Sequence, residues 1–366
     1  MNKRVINRNL TFFLFVFALL HPIAGKSQEK TINPNLDEKE DAYLNRQSKA
    51  FLTEINKNLD SYPPQFPRQE GRIQALLLLD AVLHDVYAAH RPPVQQFYQK
   101  RIESTLHEIE NSKIEEGAKI WKLYNMGFVV KTKSVTLAFD LVSGESAGSN
   151  GFTIPKTIME GFVKQCDVLF ISHRHRDHVD EWIAQKFIDT DKPVVAPPQV
   201  WKDRAIYSSI THLKREAHTK QQLKIQNNKI ELDIVIYPGH QMSSHENNVS
   251  LVYTPENISI CHMGDQINEG DFMIDYDWID YVSENHRVDI LLPPCWTNEI
   301  YRIVKGFDPK LIIPGHENEL GHTIDDRVPF WDDSEYLELT YPELKSSDYP
   351  LILMTWGESY HYFQKK

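Results

Sequence analysis

The sequence predicts an α/β domain behind a helical extension, and three features of its patterning point there. Apolar residues recur at helical spacing up to about Ser112. From Gly117 the pattern turns to alternation. Thereafter short apolar runs end repeatedly in Pro, Gly, His or Asp, as strands do when they deliver polar side chains to a cleft. The length suits one large domain with an appendage.

Residues 1–27 have the order of a signal peptide. Lys3, Arg4 and Arg8 form a basic head, Leu10 to Leu20 an apolar run, and Ala24, Gly25 and Ser27 a small-residue cleavage region. The run falls short of the ~20 residues that span a bilayer. Cleavage before Gln28 is therefore expected, giving a periplasmic or secreted protein, with an uncleaved membrane anchor as the alternative. No Cys follows the run, so no lipid anchor is indicated. Residues 1–27 carry four basic and no acidic residues, so their removal takes the formal net charge from −11 to −15. That balance disfavours a general nucleic-acid partner and leaves room for a local basic pocket. Cys166, Cys261 and Cys295 are odd in number and far apart, which implies no disulfide framework.

Residues 28–115 make the helical extension. Gln28 to Asp37 reads as a flexible lead-in. Leu44, Phe51, Leu52, Ile55 and Leu59 predict a first helix, and Tyr62 to Pro67 breaks it. Ile73, Leu76, Leu77, Leu83 and Val86 predict a second, ended at Arg91-Pro92-Pro93. Val94, Phe97, Ile102, Leu106 and Ile109 predict a third. His84, His90 and His107 have no partners at ligand spacing and read as structural or exposed. The extension is a candidate lid or membrane-docking element.

Residues 116–366 carry the chemistry. Ile120–Lys131 and Ser134–Leu141 predict the two strands of a hairpin. Asp140 ends the second, either orienting a ligand histidine or serving as a turn residue. Ser143 to Asn150 is a Gly/Ser loop. The apolar run Asp167–Ile171 then leads into Ser172-His173-Arg174-His175-Arg176-Asp177-His178-Val179-Asp180, and Val179 to Phe187 reads as a helix. Imidazole and carboxylate are the ligands of a borderline metal ion. His173 and His175, two apart on extended backbone, point the same way and suit one ion. Asp177 and His178, past the bend, suit a second. Asp177 also fits the N-cap of the following helix, with Asp180 completing a capping-box-like pair.

Pro193–Ala196, Gln222–Ile225 and Ile230–Tyr237 predict further strands, with Asn227-Asn228 as a turn. Pro238-Gly239 is expected to stop the ladder and turn His240 toward the site, with His245 as rival. Val249–Tyr253 and Ile258–Met263 follow, the latter running into Gly264-Asp265. His262 alternates with Ile260 and reads as sheet packing. Val288–Leu292 leads to Trp296, a candidate pocket wall. Leu311 to Ile313 runs into Pro314-Gly315-His316, repeating the strand-Pro-Gly-His pattern, with His322 as competitor. Leu351 to Trp356 reads as the last strand.

The spacing His173-x-His175-x-Asp177-His178 matches the H-x-H-x-D-H motif of the metallo-β-lactamase superfamily, and Leu123 to Phe128 followed by Leu137 to Asp140 resembles its opening hairpin. The resemblance covers about Gly117 to Glu358 and not the N-terminal third. It implies a four-layer αβ/βα sandwich. It also implies His173, His175 and His240 at one ion, Asp177, His178 and His316 at a second, and Asp265 bridging them. Two ions clamping one water would lower its pKa from 15.7 toward ~7 and yield hydroxide. Asp177 would orient that hydroxide or accept its proton. The implied protein is a dinuclear metal-dependent hydrolase of an ester, lactone or phosphodiester bond. Zinc is the expected ion, while Mn2+ or Fe suits the same mixed ligands. Oxygen-reducing di-iron relatives typically carry Glu where His175 stands, which disfavours redox chemistry. The extension and the full ligand set resemble the lactonase and phospholipase-D-like branches, which implies a small-molecule or lipid substrate. The alternatives are a β-lactam or other amide hydrolase, a non-catalytic metal-binding module on the same fold, and a surface-interaction protein centred on the helical region.

Overall fold

Alternation along a strand sorts side chains onto its two faces, and in this chain that sorting builds two six-stranded sheets packed face to face. The computed structural model describes residues 34–144, 151–241, 245–266, 275–295, 299–317 and 347–364, with Thr297, Leu320 and Leu344. The predicted signal peptide, most of the Gly/Ser loop, Trp296 and His322 lie outside the described residues.

Three helices lead: α1 (Pro34–Ser61), α2 (Glu70–Leu83) and α3 (Pro92–Asn111). Then come β1 (Ala118–Lys122), β2 (Phe128–Lys131), β3 (Thr136–Phe139), α4 (Lys156–Gln165), β4 (Val168–Phe170), α5 (Glu181–Ile188) and β5 (Val194–Val195). The second half runs β6 (Gln221–Ile225), β7 (Ile230–Gln241), β8 (His245–Tyr253), β9 (Ser259–His262), the single turns α6 (Tyr276–Ile279) and α7 (Val282–Asn285), β10 (Ile290–Leu292), α8 (Ile300–Phe307), β11 (Leu311–Ile312) and β12 (Glu358–Tyr362). The first sheet has the order β12-β1-β2-β3-β4-β5 and the second β11-β10-β9-β8-β7-β6. Both are mixed: hairpins pair antiparallel, and the strands joined through helices, such as β3 with β4 and β10 with β11, pair parallel.

Phe128, Phe139 and Phe170 from the first sheet share one core with Ile234, Val252, Ile260 and Leu292 from the second. The opposite faces, Val129 and Leu169 on one sheet and Val235 and Leu291 on the other, share a second cluster with the helix residues Leu106, Phe162, Phe187, Ile303 and Phe307. Helices, sheet, sheet, helices make the four-layer αβ/βα sandwich that the resemblance implies. Contacts divide the chain into Met1–Ala42 and Tyr43–Lys366. No helix among the described residues is long and apolar enough to cross a membrane.

Several expectations need correction. The stretch Ile120–Lys131 is two strands rather than one: Asn125 takes a left-handed φ of 57°, and Leu123 N–H bonds Gly127 O to close a tight turn. Helix α2 ends at Leu83, so Val86 lies beyond it and is exposed. Phe51 on α1 is also exposed, while Leu52, Ile55 and Leu59 are buried. Pro238-Gly239 does not stop its strand, because β7 pairs with β8 as far as Gln241. Asn248, opposite Pro238, sends its N–H to Ser172 O at 2.8 Å, away from β7. Position 238 is thus a non-hydrogen-bonded site, where a missing N–H costs the ladder nothing. Leu351 to Trp356 forms no strand beyond a bridge at Leu351, and the last strand is β12, antiparallel to β1.

The extension is fastened to the sheets by a buried ion pair. Arg72 of α2 pairs with Glu358 at the start of β12, and its Nε donates to Leu353 O at 2.9 Å. Arg72 is 1 % exposed, and removing one partner of such a pair strands the other's charge. Arg72→Met is therefore expected to destabilise the protein by about 3–5 kcal/mol, read as a lowered urea midpoint at unchanged slope.

Candidate metal centre

Six of the predicted ligands gather where strands of both sheets end. Strand β4 delivers His173, and the bend after it delivers His175, Asp177 and His178. Asp265 follows β9 in the other sheet, and His316 follows β11. They form two groups, Asp177, His178, Asp265 and His316 in one and His173, His175 and Asp265 in the other, and within each group the ligand atoms lie within 4.8 Å of one another. Asp265 belongs to both. His178 Nε2 stands 3.0 Å from Asp177 Oδ2 and 3.1 Å from Asp265 Oδ2. His316 Nε2 stands 3.1 Å from Asp177 Oδ2 and 3.3 Å from Asp265 Oδ1. His173 Nε2 stands 3.6 Å from Asp265 Oδ2.

Ligands about 2.0–2.2 Å from one ion in a tetrahedron lie roughly 3.3–3.6 Å apart; His316 with Asp265 and His173 with Asp265 fall in that range, and the other three pairs stand closer, at 3.0–3.1 Å. Moreover, His173 Nε2 is buried with no hydrogen-bond partner among the described residues, which an ion would supply.

Buried carboxylates and imidazoles set one another's charge here. Burial alone would raise Asp177 and Asp265, but neighbouring imidazoles, His178 foremost, outweigh it and hold both carboxyls well below the usual carboxylate range. Burial pushes His178 down, yet Asp177, Asp265 and Asp140 outweigh burial and hold it well above the usual histidine range. Burial, reinforced by His178, lowers His173 to about 3, so it is a neutral imidazole of the kind a metal takes.

Asp140 meets both readings, turning the chain at a φ of 43° and holding His178. It is fully buried at the end of β3, with one oxygen 2.7 Å from His178 Nδ1 and both oxygens accepting from Ser172, at 2.7 Å from the N–H and 2.6 Å from the hydroxyl. The N-cap of α5 falls to Asp180, which accepts from Ile183 N at 3.2 Å. Asp177 is thereby left to the metal group. His262 packs as expected, its ring stacked on Phe139 and its Nε2 on Met126 O at 3.0 Å. All three cysteines are buried and free.

Of the seven predicted ligands, six meet in these groups, and His240 stands outside both. His240 sits on β7 with Nδ1 3.0 Å from Asp275 Oδ1. Its rival His245 lies on β8 with its ring 4.5 Å from that of His175. The sequence reading missed Gln241, whose Nε2 donates to Asp265 Oδ2 at 2.9 Å, and gave no role to Asn125, whose Nδ2 donates to Asp177 Oδ2 at 2.7 Å. The signal at Asn125 was present: Asn two before Gly marks a turn.

Facing sheets with an aspartate shared between two His/Asp groups make a candidate dinuclear metal centre. Residues 119–316, more than half of the chain, match the beta-lactamase superfamily domain, and the protein belongs to the metallo-β-lactamase superfamily. No curated protein sequence matches the chain. Among solved structures it is similar to Igni18, a metallo hydrolase from the archaeon Ignicoccus hospitalis, at 16 % identity and a TM-score of 0.48, over 68 % of this chain and 99 % of that one. It is also similar to a putative metal-dependent hydrolase from Parabacteroides distasonis, at 16 % identity and a TM-score of 0.44, over 67 % and 97 %. A third is CmlA, a diiron β-hydroxylase from Streptomyces venezuelae, at 14 % identity and a TM-score of 0.45, over 69 % and 55 %.

Loss of an outer partner of a ligand histidine typically costs 10–100-fold in metal affinity. Asp140→Asn should therefore weaken binding by about that factor in a chelator competition, with the protein still folded by circular dichroism.

Proposed function

We infer that the chain is an exported dinuclear hydrolase, zinc-dependent, acting on an ester, lactone or phosphodiester bond. The observation that carries this is Asp265, one buried carboxylate common to both ligand groups. Two oxygens on one side chain suit two ions held side by side. When bound, such a pair supplies a Lewis-acid pole and a water acidified toward ~7.

The chain's own residues do the rest. His173, His175 and Asp265 hold the first position; Asp177, His178, His316 and Asp265 hold the second. His240, which stands outside that group with its Nδ1 3.0 Å from Asp275 Oδ1, is the residue we assign as the remaining ligand of the first position. His245, beside His175, then faces the substrate. Asp177 is the carboxylate placed to accept a proton from the attacking water. Arg174 and Arg176 are exposed in the same loop.

The reading is tested on purified residues 28–366. Elemental analysis should find about two metal ions per chain. A panel of a β-lactam, a lactone, a bis-aryl phosphodiester and a phospholipid should show turnover that a chelator abolishes and zinc restores. Asp265→Asn should lose metal and cut turnover by more than the roughly 10–100-fold typical of an outer partner. Unchanged turnover in that variant would remove the assignment. Turnover of the β-lactam alone would move it to the amide-hydrolysing reading.

A further inference from the structure

The turn between β1 and β2 meets the second ligand group at several points. Asn125, at its tip, is fully buried. Its Nδ2 donates to Asp177 Oδ2 at 2.7 Å and lies 3.3 Å from His316 Nε2. Its carbonyl accepts the N–H of His316 at 3.2 Å. At the end of β1, Lys122 Nζ donates to Pro314 O at 2.7 Å and pairs with Glu317, so the segment bearing His316 is gripped on both sides of that residue. The two turns approach so closely that a Cβ on Gly315 would fall 2.3 Å from Met126 Sδ.

The grip has a purpose. His316 adopts a φ of 68°, a left-handed conformation that few side chains hold without support. Asn125 is left-handed too, at 57°, where a short carboxamide is better tolerated than most side chains. A residue serving only its own turn would spend its amide there. This turn is already closed by backbone bonds, Leu123 N–H to Gly127 O at 2.7 Å and Gly127 N–H to Tyr124 O at 2.9 Å. The side chain is thereby released to the ligands, and its Oδ1 has no hydrogen-bond partner among the described residues.

We propose that Asn125 is a positioning residue of the metal centre. Its side chain fixes Asp177, and its carbonyl fixes His316, so that two ligands delivered by different sheets stand at the spacing of one shared ion. The proposal rests on the dinuclear reading above.

Asn125→Gly tests it, because glycine accepts the left-handed backbone and loses only the carboxamide. Cobalt(II) is titrated into metal-free mature wild type and variant, and the visible spectrum and the equivalents bound are read. Wild type should take two equivalents. Asn125→Gly should keep one and bind the other about 10–100-fold more weakly, with a changed absorption band. Asn125→Asp, similar in shape but lacking the donor, should alter the band of the same equivalent. Two equivalents with wild-type affinity and spectrum in Asn125→Gly would overturn the proposal. So would an Asn125→Gly chain that fails to fold, since the residue would then serve the fold rather than the ligands. A wild type that takes fewer than two equivalents would instead sink the dinuclear reading on which the proposal stands.

Discussion

Three carboxylates, Asp140, Asp177 and Asp265, are buried within one cluster of imidazoles between the ends of two sheets. Ionised groups out of water must be paired or coordinated, because the isolated charge is too costly to keep. That constraint explains the rest of the centre. It requires His173, His178 and His316 to surround the carboxylates, and it favours cationic guests over neutral ones. It also explains why Asp140 answers both to His178 and to Ser172: each hydrogen bond offsets part of the cost of its burial.

The architecture meets this demand by dividing the labour between the sheets. The first sheet delivers the His-rich bend after β4, and the second delivers Asp265 and His316 after β9 and β11. Neither sheet alone holds a complete group. The strands that point at the centre end in left-handed or glycine positions, Asp140, Gly264 and His316 among them, which swing the next side chain inward. Behind the first sheet, Tyr124 lies in an aromatic cluster with Phe152 and Trp356, and Tyr98 of α3 packs on Trp356 at 4.5 Å. The helical extension thus reaches the turn that holds Asn125.

Much of this was legible in the sequence, and what was legible was local. His173, His175, Asp177 and His178 announce themselves because they are crowded into one bend after an apolar run. Asp265 and His316 read as ligands because each ends a strand behind Gly or Pro-Gly, and because the superfamily resemblance says which strand ends matter. The misreadings are non-local. Whether Pro238 breaks a strand depends on which way Asn248 points its N–H, a fact of register and not of composition. Whether Asp177 or Asp180 caps α5 depends on what else competes for each carboxylate. Asn125 and Gln241 were silent because their partners lie far off in the chain, at Asp177 and Asp265, and amides at turns are common. Leu351 to Trp356 has strand-like composition, yet β12 occupies the edge beside β1 instead.

The clasp between Arg72 and Glu358 joins residues 286 positions apart. A link across so long a stretch of chain makes α2 and the start of β12 one cooperative unit, so the backbone amides of both should open to hydrogen exchange together rather than in sequence.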